Sequence, residues 1–84
     1  MEARAEAPVV ELLTREGCHL CAAARATLDE VCGRLGVPWT ERGIDDDPEL
    51  RHRFGEEVPV LMIDGVQRDF WVIDPARLAG LLGA

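Results

Sequence analysis

The apolar positions change spacing along the chain, and each change marks an element. Val9-Val10-Glu11-Leu12-Leu13 is β-branched and apolar between Pro8 and Gly17, which predicts a strand covered on both faces. Leu20, Ala24, Thr27, Leu28, Val31 and Leu35 then recur at helical spacing, with Arg25, Asp29, Glu30 and Arg34 opposite, until Gly36-Val37-Pro38 stops the run. Trp39 to Ile44 is a weaker strand candidate. It leads into Asp47-Pro48, a cap followed by a proline at the first helical position, for a helix ending near Gly55. Val58 to Ile63, Asp64-Gly65 and Val66 to Ile73 predict a hairpin on a two-residue turn. Counting outward from that turn sets Ile63 against Val66, Pro59 against Phe70 and Val58 against Trp71. Asp74-Pro75 repeats the cap signal and opens a last helix to Leu82.

Strand, helix, strand, helix, hairpin, helix is an α/β order. The parallel strands need a helical crossover and the hairpin is antiparallel, so four strands make a mixed sheet with three helices on both faces. Residues 8–84 are expected to form one domain, since 84 residues cannot be divided into two independent cores, with Met1 to Ala7 as a flexible leading segment. Glu11 is the misfit. A carboxylate in a central strand is costly unless it points to an uncovered part of the sheet, and a proton relay to Cys21 is the alternative.

Charge narrows the classes of partner. The net charge is -7 and the chain contains no Lys, which argues against a nucleic-acid backbone as ligand. Charged residues in Met1-Glu2-Ala3-Arg4-Ala5-Glu6 stand where a signal peptide would need an apolar run, and no apolar stretch approaches membrane-spanning length. A cytoplasmic monomer is therefore expected.

The candidate chemistry lies in Gly17-Cys18-His19-Leu20-Cys21, where the first strand passes into the first helix. At a helix N-terminus, unpaired N–H groups and the positive dipole end favour thiolate over thiol, so Cys18 becomes a nucleophile at neutral pH. Cys21 falls on the apolar stripe with Leu28 and Leu35, as a shielded resolver. Two incidental thiols or part of a metal site are the plainer readings. His19 is either solvated or an imidazolium that stabilises the thiolate. Cys32 lies about 21 Å along the helix from Cys18, too far to bridge, and reads as a buried structural thiol. His52 reads as a surface residue of the second helix, and Arg15 as a loop charge or a substrate contact.

Arg15-Glu16-Gly17-Cys18-His19-Leu20-Cys21, Asp45 to Leu50 and Val58-Pro59 together resemble the glutaredoxin and thioredoxin families, most closely small glutaredoxin-like proteins with a Gly-Cys-His-Leu-Cys motif. The resemblance spans roughly Val9 to Leu82. It implies a thioredoxin fold, the first and third helices sharing one face of the sheet, and a cis Pro59 facing the dithiol. It also implies that Cys18 attacks a disulfide and Cys21 resolves the mixed disulfide, that Arg15 stands where a Lys often helps hold glutathione, and that the Val58 backbone edge pairs with the thiol substrate. The family's Cys-Pro-Tyr-Cys tyrosine is absent. So is its Gly-Gly with an acidic cap, where Asp69-Phe70 stands instead.

The expected activity is thus that of a thiol-disulfide oxidoreductase needing no bound cofactor, with a protein disulfide and a reductase, or glutathione as co-substrate, for partners. Phe70 and Trp71 beside the proline loop would narrow an approach for glutathione and offer apolar surface to a peptide, which favours the protein disulfide. An iron-sulfur cluster or metal held by a dimer through Cys18 is a second class of function. A redox-inert interaction module is a third.

Overall fold

The structure, a computed structural model, describes residues 8–83. The leading segment 1–7, expected above to be flexible, lies outside them. In chain order the elements are β1 (Val10–Thr14), α1 (Cys21–Leu35), β2 (Trp39–Gly43), α2 (Pro48–Phe54), β3 (Val60–Ile63), β4 (Val66–Phe70) and α3 (Pro75–Leu81). They form one sheet in the order β2-β1-β3-β4. β1 runs parallel to β2, across the α1 crossover, and antiparallel to β3, which pairs antiparallel with β4.

Alternation along β1 divides the core in two. Val10 and Leu12 pack with Leu61, Ile63, Leu28, Val31 and Leu78, so α1 and α3 share one face. Leu13 packs with Val60, Ile44 and Phe54 on the other face, beneath α2. Glu11 lies on the α2 side with Leu13, because side chains two apart share a face. It pairs with Met62 and is half-buried. Cys21 is buried on the opposite side, beneath α1. The sheet therefore stands between Glu11 and Cys21, which argues against a relay from one to the other.

Caps place two of the helices. Asp47 accepts from the Leu50 N–H, and Asp74 accepts from the N–H groups of Ala76 and Arg77. Each aspartate satisfies donors that the first turn leaves free, and Pro48 and Pro75 follow at the first helical position. At the other end of α1, Gly36 takes the left-handed φ of 72° and its N–H returns to the carbonyls of Cys32 and Gly33.

The hairpin departs from the expected register. Asp64 and Gly65 both have positive φ, 53° and 81°, which makes a two-residue turn with the twist of the flanking strands, and Ile63 pairs with Val66. Beyond Met62↔Gln67, however, the next pairs are Leu61↔Asp69 and Val60↔Phe70. Arg68 is an extra residue in β4, a β-bulge, and its carbonyl accepts from Arg77 Nε of α3 at 3.0 Å. The bulge moves Phe70 from Pro59 to Val60. Trp71 is displaced likewise and sits beside Pro59, its N–H donating to the Pro59 carbonyl at 2.9 Å and to the Glu57 carbonyl at 3.3 Å. β4 stops at Phe70 rather than continuing to Ile73, because Trp71 adopts φ 64° and turns the chain.

Candidate functional site

Cys18 and Cys21 are joined by a disulfide, with their Cα atoms 5.5 Å apart. Their surroundings differ. Cys21 is 1% exposed at the first residue of α1, whereas Cys18 is half-buried in the preceding loop. The residue pattern predicts Cys18 at the helix terminus itself, but Leu20 occupies the cap position and makes no side-chain cap bond. Cys18 stands two residues earlier. The first turn of α1 itself carries no acidic residue against the positive end of the helix that faces this loop.

The loop from Arg15 to Leu20 is tied to the α2 end of the sheet. Arg15 Nη1 donates to the Gly55 carbonyl at 2.8 Å, and the Glu16 N–H donates to Asp45 Oδ2 at 3.0 Å. Trp71 Nε1 donates to the Glu56 carbonyl at 3.0 Å, bringing the indole to the same rim. A groove of about 330 Å³ lies between these segments, and Arg15, Cys18, His19, Val58 and Trp71 all line it. Pro59 is buried immediately behind Val58, and the Val58–Pro59 peptide is cis. Three segments far apart in sequence, at Arg15 to His19, Val58 and Trp71, thus meet at one opening, beside the buried Cys21 and Pro59.

Trp71 is 52% exposed despite its size, and its ring meets Phe70 edge-on at 5.0 Å between centroids. A left-handed φ is unfavourable for a bulky residue, so its three hydrogen bonds hold it where it would not rest alone. Next to it Val72 and Leu20 are also exposed. Helical spacing places Leu20 on the buried stripe, but its position ahead of the first helical turn leaves it exposed. The groove therefore has an apolar flank at Leu20, Trp71 and Val72. Its charged lining is Arg15 against Glu16 and Glu56, with His19 at the exposed edge.

Cys32 is fully buried in the core under α1, with its thiol pKa pushed up by burial and then by the charge of Asp29. It cannot join Cys18 at a common ion. Among the described residues no three His, Cys, Asp or Glu side chains converge as metal ligands. His52 is exposed on α2.

The family model of the glutaredoxin-like domain (DUF836) matches residues 9–83. The chain belongs to that family. Uncharacterised proteins of Mycobacterium tuberculosis and Mycobacterium bovis are each 37% identical over 76 residues, covering 84% of this chain and 78% of theirs. Among solved structures, the Xanthomonas campestris protein XcR50 superposes with a TM-score of 0.73 at 31% identity, over 88% of this chain and 95% of that one. The Nitrosomonas europaea protein Ne2328 gives 0.82 at 24% identity, over 99% and 100%. Oxidised thioredoxin O2 of Arabidopsis thaliana gives 0.61 at 22% identity, over 89% and 71%, which relates the folds. The glutaredoxin-like chain thus has a thioredoxin fold, and its adjacent cysteine pair forms a disulfide, the bond on which redox chemistry in this fold would operate. No helix of the described residues is long and apolar enough to cross a membrane.

Proposed function

We propose that the chain is a dithiol oxidoreductase in which Cys18 attacks a substrate disulfide and Cys21 resolves the product. The carrying observation is the asymmetry of the pair: Cys18 lines an open groove while Cys21, three residues on, is buried. The Cys18 thiolate bonds to one substrate sulfur and expels the other as a thiolate, which takes a proton from solvent. Cys21, once deprotonated, attacks the Cys18 sulfur and releases the second substrate thiol. The substrate gains two electrons and the protein is left with the Cys18–Cys21 disulfide, which an external dithiol or glutathione must reduce. A reducing compartment such as the cytoplasm suits this direction, with the chain acting as a monomer.

A protein disulfide is the favoured substrate over glutathione. The apolar flank of Leu20, Trp71 and Val72 offers surface to a peptide side chain. Glutathione is anionic, and Arg15 shares the groove lining with Glu16 and Glu56 while bonding the Gly55 carbonyl. The Val58 backbone at the groove wall supplies an edge for an extended chain. The deciding comparison is turnover of a glutathione mixed disulfide against that of a model protein disulfide coupled to a thioredoxin reductase. Faster protein-disulfide turnover supports the reading. Efficient glutathione-dependent turnover without protein-disulfide activity contradicts it.

A further inference from the structure

The edge strand β2 packs Trp39 against the core under α1 and is also fastened to that helix by polar side chains. Trp39 and Glu41, two apart on one strand face, meet Asp29 and Arg25, four apart on one helix face. Trp39 Nε1 donates to Asp29 Oδ1 at 3.2 Å. Arg25 donates from Nε to Glu41 Oε1 and from Nη2 to Oε2, both at 2.8 Å, a bidentate fork. Glu41 Oε2 also accepts from Thr14 Oγ1 at 2.8 Å. Thr14 is the one buried polar side chain among the described residues, so its hydroxyl depends on that acceptor.

The sequence positions of these partners matter more than their strength. Thr14 ends β1, four residues before Cys18, and Arg25 lies one helical turn after Cys21. Glu41 therefore grips the chain on both sides of the segment that carries both cysteines. We propose that Glu41 is a positioning residue of the dithiol: by holding Thr14 and Arg25 together it keeps Cys21 within reach of Cys18 when no disulfide joins them, and so sets the rate of the resolving step. The proposal rests on the dithiol reading above.

An aromatic disulfide that releases a coloured thiolate, 5,5′-dithiobis(2-nitrobenzoate), separates the two steps. Cys18 thiolate breaks its S–S bond, forming a mixed disulfide and releasing one nitrothiobenzoate. Cys21 thiolate then attacks the Cys18 sulfur and releases the second, leaving the Cys18–Cys21 disulfide. The first release depends on reagent concentration and the second does not. Glu41→Ala is expected to slow the second by about fivefold or more while leaving the first within about twofold, because only the intramolecular step depends on the mutual placement of the two sulfurs. Glu41→Gln, which retains an acceptor for Thr14, should fall between Ala and the wild type. Glu30→Gln, which alters an exposed pair with Arg34, should match the wild type. A second release at the wild-type rate in Glu41→Ala would overturn the proposal. So would a parallel slowing of both steps together with loss of thermal stability, which would indicate a folding role. A wild-type protein releasing only one equivalent would overturn the dithiol reading, and this proposal with it.

Discussion

The two ends of α1 place the same side chain in opposite settings. Cys21, with Cys18 just ahead of it, stands at the N-terminal end, where the helix presents unpaired N–H groups and its first turn carries no acidic residue. Cys32 stands near the C-terminal end, fully buried among Leu28, Val31 and Leu78, with burial and Asp29 both holding its thiol protonated. In the proposed chemistry it is position on the helix that separates these thiols, since the residue type is constant.

Substitution at each end should break that comparison most visibly. Cys18→Ser is expected to abolish disulfide reduction, whereas Cys32→Ala should retain it within about twofold, because Cys32 contributes packing and no chemistry. Assay of the two variants side by side checks this, and loss of activity in Cys32→Ala would remove the distinction. In stability the order reverses. Cys32→Ser puts a hydroxyl into an apolar site at a cost of about 1 to 3 kcal/mol, a fall in Tm of several degrees for a domain of this size. Thermal unfolding should show Cys18→Ser nearer the reduced wild type.

Smaller effects appear in the pH dependence of stability. The Arg25 guanidinium, and after it the Thr14 hydroxyl, holds Glu41 below the usual carboxylate range against an opposing effect of partial burial. A lowered folded pKa contributes stability that is present above the unfolded value of about 4.3 and is lost as pH falls through the folded one. Cys32 has the opposite sign. Its raised folded pKa contributes stability that is complete below about 8.5 and is lost as pH rises through the folded value. Urea unfolding across pH should therefore show a shallower acid limb in Glu41→Gln and a shallower alkaline limb in Cys32→Ala. Unchanged limbs would show that neither group is linked to folding.

The sequence made these regions legible to different degrees, for reasons that lie in the residues. Asp47-Pro48 and Asp74-Pro75 announce their helices because the cap is a local hydrogen bond. Leu20 offers no such signal, so helical spacing alone starts α1 too early and places Leu20 on its buried face. Asp64-Gly65 fixed the turn, but the bulge at Arg68 is held by Arg77 in another element, and no spacing within the hairpin reveals it. Trp71 still reached the groove, by a different register from the one expected. The Thr14, Glu41 and Arg25 cluster was missed because its members look like ordinary surface charges and a strand hydroxyl until the fold brings them together.

Site-resolved alkylation of the fully reduced protein across pH separates Cys18 from the other two thiols. Iodoacetamide labelling read by mass spectrometry should modify Cys18 first, with a midpoint below the ordinary thiol value of about 8.5, while Cys32 stays unlabelled until the protein unfolds. Faster labelling of Cys21 or Cys32, or a Cys18 midpoint at or above the ordinary value, would contradict the account.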